Sequence, residues 1–258
     1  MSAPFLAAGS LTRPEIVHGF FGREGGVSEG PFASLNCALT TGDDMSLIEE
    51  NRRRVAETLG VDAEKLVSTY QIHSPNVIEI DRPWPVGDRP RADGLVTRRP
   101  GVALGVLSAD CAPVLFADAE AGIVGAAHAG WRGARTGVTD EVVAAMVRLG
   151  ARPEAIDAAI GPCIGPDSYE VGPEFPGPFI EEDPANARFF RPSRRAGHHM
   201  FDLPGYLVAR LERQGLRSVV NLRQDTCADR ARFFSYRRTC LDGEKKFGCE
   251  ISAIALRE

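Results

Sequence analysis

The sequence lacks the long apolar runs and paired cysteine motifs that mark membrane proteins and common structural zinc sites. No run approaches the roughly 20 apolar residues that a membrane-spanning helix needs. Residues 1–11 have no basic region ahead of an apolar stretch, so we predict no signal peptide. No Cys-x-x-Cys pair occurs among the six cysteines. We therefore expect free thiols or metal ligands in a reducing compartment, and a cytoplasmic protein.

The sequence also lacks a strong excess of one charge and any linker-like segment. The formal net charge is −5, and the basic clusters at 52–54 and 194–195 are short and without interleaved aromatics. Neither a nucleic acid nor a membrane is therefore an expected partner, whereas a few arginines can still bind a small anion. No Ser/Gly-rich stretch divides the 258 residues, so we predict a single domain over 1–258. A monomer or weak homodimer is expected.

Hydrophobic periodicity predicts a mixture of helices and short strands. Ile48, Val55 and Leu59 share one face of a helix predicted over 46–59, and Gly60 follows as its stop. Further helices are predicted from a stripe over 138–149 and over 203–214. Residues 67–80 read as extended, and apolar runs predict strands at 102–107, 113–117, 123–127, 158–160, 219–220 and 251–256. No regular βαβ alternation links them, which indicates an α/β fold with a mixed sheet.

Three side chains form a candidate zinc site. Cys111 and His128 each follow a predicted buried strand, and His73 lies at a bend beside Ser74-Pro75. A catalytic zinc uses three nitrogen, sulfur or oxygen ligands and leaves a fourth position open. Asp110, next to Cys111, is placed to orient a ligand or to shuttle a proton.

The residue types leave other readings of the same side chains open. His73, Cys111 and His128 can be ordinary structural residues, or Cys111 can be a nucleophile with His128 as its base. Two histidines and a cysteine also match a blue-copper site. A multicopper oxidase needs His-x-His pairs, and this chain has five histidines with none so arranged. Copper is therefore the less favoured metal.

Several segments make the chain resemble a known family. The most specific are Ser108-Ala109-Asp110-Cys111-Ala112-Pro113-Val114 and His128-Ala129-Gly130-Trp131-Arg132-Gly133. The supporting segments, in chain order, are 22–28, 31–36, 42–44, 50–52, 71–73, 92–94, 161–165, 169–172 and 233–238. Together they resemble the YfiH-like laccase-domain family, whose members are known as purine nucleoside phosphorylases, peptidoglycan editing factors and multicopper polyphenol oxidase-like proteins.

This resemblance implies a fold, a metal and an activity. It implies zinc bound by His73, Cys111 and His128, in an α/β sandwich with a mixed sheet similar to the catalytic domain of the cytotoxic necrotizing factor deamidases. The implied reaction is phosphorolysis of adenosine, inosine, guanosine and 5′-methylthioadenosine, with adenosine deamination as a second activity. The alternatives are a hydrolase that edits a cell-wall precursor, a copper polyphenol oxidase, which is disfavoured, and a binding protein without activity.

Substrate contacts are predicted from residue chemistry. Arginine binds oxyanions through two parallel hydrogen bonds, which makes Arg52, Arg23 and Arg132 the phosphate candidates, in that order. Asn36 and Gln71 are candidates for hydrogen bonds to the sugar or the base. The chain departs from the family in carrying Phe247-Gly248-Cys249-Glu250 where a Thr-Gly-Arg segment is usual, which puts phosphate affinity or substrate choice in question.

Overall fold

The computed structural model describes residues 3–258 and contains six α-helices and fourteen β-strands in that range. The helices are α1 (Met45–Leu59), α2 (Trp131–Thr136), α3 (Val138–Arg148), α4 (Gly177–Glu182), α5 (Leu203–Glu212) and α6 (Tyr236–Leu241). The first seven strands are β1 (Phe5–Leu6), β2 (Ile16–Phe21), β3 (Leu66–Val67), β4 (Val77–Glu79), β5 (Gly94–Thr97), β6 (Ala103–Ser108) and β7 (Ala112–Asp118). The remaining strands are β8 (Ile123–Ala129), β9 (Asp157–Ile160), β10 (Glu170–Val171), β11 (Phe190–Pro192), β12 (His199–Phe201), β13 (Ser218–Asn221) and β14 (Glu250–Leu256).

The strands form two large mixed sheets and a small antiparallel one. One large sheet has the order β1-β2-β14-β6-β3, with β3 parallel to β6 and the other neighbours antiparallel. The other has the order β13-β9-β7-β8-β5-β4, in which both edge strands run parallel to their neighbours. The small sheet is β10-β12-β11. The prediction of a mixed sheet is confirmed.

The two large sheets pack face to face between helical layers. Phe20, Leu104 and Ile254 from the first sheet share a buried core with Leu115 and Val124 from the second. Helix α1 packs on the outer face of the first sheet, and α3 and α5 cover the outer face of the second. The predicted α/β sandwich is therefore observed, because each sheet buries one face on the other sheet and one under helices. The likeness to the deamidase domain stays a prediction.

Helix α1 illustrates how closely local sequence sets an element. The Ser46 amide donates to the side chain of Asp44, which is the N-cap. The helix therefore begins at Met45, one residue earlier than predicted. Ile48 and Val55 are buried on the predicted face. Gly60 ends the helix with a φ of 71°, a conformation that glycine adopts without a side-chain penalty.

The stretch over 67–80, predicted as extended with an interruption at Ser74-Pro75, has a longer loop than expected. Only its ends pair, in β3 and β4, and His73 between them adopts a φ of 59°. Three consecutive amides of the loop, at 72–74, donate to the carboxylate of Asp93, which holds the bend in place. The helix predicted from the stripe over 138–149 is observed as α3, and Gly137, at a φ of 93°, separates it from the short helix α2.

Among residues 3–258, no helix combines the length and the hydropathy required to cross a membrane. The predicted absence of a signal peptide concerns residues 1–11, of which 1 and 2 lie outside the described range. The single domain over 1–258 likewise stays a prediction.

Candidate metal centre

His73, Cys111 and His128 converge on one point of the structure. One ligand atom from each lies within 4.8 Å of the other two, and the Cys111 sulfur is 3.9 Å from His73 Nε2. Strand pairing explains the meeting, because Cys111 directly precedes β7 and His128 lies opposite Pro113 at the matching end of β8. The loop between β3 and β4 brings His73 over them, with its ring centroid 4.9 Å from that of His128. This cluster can hold a metal ion.

Asp93 organises both histidines and was not assigned a role from the sequence. Its Oδ1 lies 2.9 Å from His128 Nδ1 and accepts the His73 amide, and its Oδ2 accepts the amide and hydroxyl of Ser74. The hydrogen bond at Nδ1 leaves Nε2 of His128 free to face the cluster. Burial alone would raise the pKa of Asp93, but the hydrogen bond with His128 and those from Ser74 lower it to about 2. In the sequence, only its place in the 92–94 segment, which carries part of the family resemblance, indicated that Asp93 could have a role.

Cys111 and His128 stabilise each other in their charged forms. Burial opposes the charge on the Cys111 sulfur, but the attraction of His128 and hydrogen bonds from both histidines lower the thiol pKa to about 6. Burial alone would lower the pKa of the His128 imidazole. The charge of Cys111 and the hydrogen bond with Asp93 outweigh burial and raise this pKa to about 9. A thiolate that forms this readily is a good ligand for a borderline-soft cation.

The space between the donors is suitable for an ion. A Cβ built at Gly130 would lie 2.7 Å from the Cys111 sulfur and 3.0 Å from His73 Cδ2, so only glycine leaves this side of the cluster open. Tetrahedral zinc places nitrogen and sulfur ligands roughly 3.5 Å apart, close to the sulfur–nitrogen distance of 3.9 Å found here. The donor set and its spacing therefore fit a bound metal.

A cavity of about 440 Å³ opens from the cluster. His73 and Cys111 line it, and so do four aromatic side chains. These aromatic residues are Trp131, Tyr169, Phe175 and Tyr236. Arg237 also lines the cavity, with its guanidinium carbon 5.3 Å from the Tyr169 ring centroid, and is a pocket arginine that sequence reasoning missed. Its position in the 233–238 segment was the only sequence clue.

Asp110 lines the cavity, but its hydrogen bonds lead away from the three ligand atoms. Its Oδ1 accepts the hydroxyl of Thr226 at 2.7 Å, and its Oδ2 accepts the amide of Arg237 at 2.6 Å. Burial raises the pKa of its carboxyl group despite these bonds. The carboxylate that orients a ligand here is Asp93, whereas Asp110 attaches the 233–238 segment to the end of β6.

The first-ranked phosphate candidate, Arg52, lies away from the cavity. It is buried in α1, where its guanidinium donates to the carbonyls of Cys37 and Leu66. We withdraw this prediction, because donors held by main-chain carbonyls in the core do not reach a ligand. Arg23 lines a different cavity, donates to the carbonyl of Ala33 and lies over the Phe234 ring. It therefore does not contact the metal-centre cavity either.

The two amide candidates also have structural partners. The Asn36 amide nitrogen donates to Thr41 and Asp43, and its oxygen accepts the amides of Ala38 and Cys249. Gln71 exchanges two hydrogen bonds with the main chain of Leu107, next to the loop of His73. Asn36 and Gln71 thus satisfy protein groups in this structure.

Arg132 remains compatible with its predicted role. It is exposed on α2, and its guanidinium carbon lies 5.3 Å from the ring centroid of Trp131, a cavity residue.

The unusual C-terminal segment lies elsewhere, where Cys249 contacts Asn36 and Glu250 begins β14. Of the other histidines, His18 is buried and accepts the amide of Ala8.

Comparison with known proteins places the chain in a family. Residues 17–257 match the multi-copper polyphenol oxidoreductase laccase family. The chain is 40% identical over 238 residues to a Deinococcus radiodurans protein named purine nucleoside phosphorylase, which covers 91% of this chain and 87% of that protein. A Streptomyces coelicolor protein of the same name is 40% identical over 223 residues, covering 85% and 89% of the two chains.

Solved structures agree with the sequence matches. The Neisseria meningitidis protein NMB0706 superposes with a TM-score of 0.88 at 33% identity, covering 98% of this chain and 99% of that one. YfiH from Bacillus licheniformis superposes with a TM-score of 0.84 at 31% identity, covering 94% and 93%. The predicted family is therefore confirmed, and the chain belongs to the laccase-like family of multi-copper polyphenol oxidoreductases that includes YfiH.

Proposed function

We propose that this chain is a zinc-dependent purine nucleoside phosphorylase, acting on adenosine, inosine, guanosine and 5′-methylthioadenosine, with adenosine deamination as a second activity. The observation that carries the proposal is the convergence of His73, Cys111 and His128 beside a cavity of about 440 Å³, which His73 and Cys111 line. The names of the Deinococcus and Streptomyces relatives support the reaction class.

The aromatic wall of the cavity supports a purine ligand. Trp131, Tyr169 and Phe175 contribute flat apolar faces, and the Trp131 and Phe175 rings lie 5.0 Å apart between centroids. A purine bound against such faces gains stacking and burial energy without depending on one pattern of hydrogen bonds. This tolerance suits a site that accepts several purine nucleosides.

Arginines beside the cavity support binding of phosphate. One guanidinium N–H of Arg237 donates to the carbonyl of Glu170, with a nitrogen–oxygen distance of 2.8 Å. This bond fixes the side chain and leaves further N–H groups for an oxyanion. Arg132 projects from α2 next to Trp131. Arg237 and Arg132 replace Arg52 and Arg23 as the proposed phosphate contacts, because they flank the cavity of the metal centre.

The residues of the metal centre have distinct proposed roles. His73, Cys111 and His128 would hold zinc, which supplies a Lewis acid beside the bound nucleoside. Asp93 keeps His128 Nδ1 hydrogen-bonded, which leaves Nε2 as the atom that would hold the metal. Asp110 secures the main chain of Arg237 and thereby positions the arginine at the cavity. Loss of the glycosidic bond develops positive charge on the ribose, which a nearby phosphate dianion stabilises.

A second candidate function follows from the same side chains. Cys111, His128 and Asp93 form a thiol–imidazole–carboxylate series, which is the arrangement of a cysteine hydrolase. Such an enzyme would cleave its substrate with water, as expected of an editor of cell-wall precursors. Copper is less favoured because the cluster supplies ligands for one ion, and a laccase reaction uses several.

Product analysis with and without phosphate tests the proposal. Purified protein of measured metal content is incubated with adenosine, inosine, guanosine or 5′-methylthioadenosine, and the free base and sugar products are separated. Phosphorolysis requires base release that depends on phosphate and yields the sugar 1-phosphate. Free ribose formed without phosphate would instead support a hydrolase, and inosine formed from adenosine would report deamination.

Matched variants connect the activity with the cluster. Cys111→Ala and His128→Ala should both lose the metal and turnover. The matched controls Cys240→Ala and His198→Ala, which alter residues outside the cluster, should keep both. Full turnover by a metal-free Cys111→Ala protein would contradict the metal mechanism.

A further inference from the structure

A second cavity lies on the other side of helix α6 from the metal centre. Its volume is about 600 Å³, and we call it the basic cleft. It is defined by Arg23, Arg230, Arg238, Lys245, Lys246 and Phe234. Ser235 and Thr239 face this cleft, whereas Tyr236 and Arg237 face the metal-centre cavity. One short helix thus forms a wall of both cavities.

The charge of the basic cleft is opposite to that of the whole chain. Five basic side chains line it against two acidic ones, Asp242 and Glu244, although the chain has a formal net charge of −5. Asp242 is also paired with Arg230 at 2.5 Å. Such a local concentration of positive charge attracts anions to this part of the surface.

Two of the three lysines in the sequence lie in this cleft. The third, Lys65, is ion-paired with Glu258 and Asp62. Lys245 and Lys246 are exposed, and within residues 3–258 neither makes an ion pair or a side-chain hydrogen bond. Ammonium groups without a protein partner are available to a ligand, and lysine binds phosphate as a point charge.

The inner wall of the cleft is already ordered. Arg238 is buried, and its guanidinium donates to the carbonyls of Thr226, Cys227 and Phe233. Arg23 is held over the Phe234 ring, 4.7 Å from its centroid. Side chains fixed before binding lose little conformational freedom when a ligand arrives.

A buried carboxyl group beside the cleft residue Phe234 does little to cancel this charge. Glu250 lies behind Phe234, whose amide donates to its Oε2 at 3.0 Å. Burial raises the pKa of Glu250 well above its ordinary value, which favours the neutral acid. Glu250 therefore subtracts little from the excess of five basic over two acidic side chains that line the cleft.

We propose that the basic cleft binds a small phosphate-bearing anion at a site separate from the metal centre. Lys245 and Lys246 contact the anion. Arg23 and Arg238, whose donors are held by main-chain carbonyls, add positive charge to the wall without contacting the anion. Binding at this site does not depend on the reaction proposed for the metal centre.

Calorimetric titration with inorganic pyrophosphate tests the site. The double variant Lys245→Gln, Lys246→Gln should bind pyrophosphate about tenfold or more weakly than the unaltered protein, because loss of even one charge-assisted hydrogen bond weakens binding by about that factor. The matched control Lys65→Gln removes one lysine elsewhere and should change affinity less than about twofold. Equal weakening in both proteins would overturn the proposal, as would no binding at millimolar pyrophosphate.

A metal-free protein separates the cleft from the metal centre. Cys111→Ser protein stripped of metal should bind pyrophosphate as tightly as the unaltered protein. Loss of binding in this variant would assign the anion to the metal centre and overturn the proposal.

Discussion

Replacing Asp93 with asparagine tests whether one carboxylate builds the metal centre. Oδ1 of Asp93 accepts the His73 amide and faces His128 Nδ1, both at 2.9 Å. Oδ2 accepts the amides of Ile72 and Ser74 and the Ser74 hydroxyl. An asparagine replaces one of these oxygens with an amide NH2 group, which donates hydrogen bonds instead of accepting them. In either orientation, at least two donors then face another donor.

The magnitude follows from the buried position of Asp93. Each unsatisfied buried donor costs about 1–3 kcal/mol, so Asp93→Asn should lower the free energy of unfolding by about 2–6 kcal/mol. Loss of a carboxylate that orients a metal-bound histidine costs roughly 10–100-fold in metal affinity. We expect losses of stability and of metal affinity together.

Asp118 provides a matched control. Its carboxylate is buried at the end of β7 and accepts the amides of Ala121 and Arg152, away from the cluster. Asp118→Asn should lower stability but leave metal affinity unchanged. Urea unfolding of the metal-free proteins and competition with a chromophoric chelator measure the two quantities. Metal affinity of Asp93→Asn within twofold of the unaltered protein, or an equal loss in Asp118→Asn, would refute the reasoning.

Three further predictions concern the metal centre, its cavity and β14. Gly130→Ala should weaken metal binding at least about tenfold, since its Cβ would meet the cysteine sulfur; equal weakening by Gly177→Ala, where a Cβ has open space, would contradict this. Arg237→Ala should raise the phosphate KM about 10–100-fold, whereas the exposed Arg148→Ala should not; steady-state kinetics decide. Burial raises the pKa of Glu250 above 4.5, so the folded state holds this proton longer and stability falls as pH rises past that value. Glu250→Gln should therefore unfold at higher urea than the unaltered protein at pH 7 and converge with it near pH 4; equal midpoints at both pH values would exclude this.

Much of the fold could be predicted from local pattern. The buried strands β6, β7, β8 and β14 are continuous apolar runs, and the caps of α1 are short-range features of the sequence. The loop of His73 could not be predicted in this way. Its shape depends on hydrogen bonds to Asp93, which is 20 residues away in the chain, and apolar periodicity carries no information on such a contact.

The metal centre was more predictable than the substrate contacts. Cys111 and His128 stand at the ends of recognisable strands, so a sheet register is enough to bring them together. The charge of Arg52 predicts a phosphate contact, but its position in the helix does not. It lies four residues after Ile48 and three before Val55, which places it on the buried face of α1. Helical spacing could have identified it as a core arginine.

The measurement that tests the central claim most directly compares unaltered protein, Cys111→Ala and Cys240→Ala for metal content and phosphate-dependent base release from inosine. We predict about one zinc per chain and phosphate-dependent turnover in the unaltered protein and in Cys240→Ala, with both lost in Cys111→Ala. Bound zinc with no phosphate-dependent release in the unaltered protein would contradict the account.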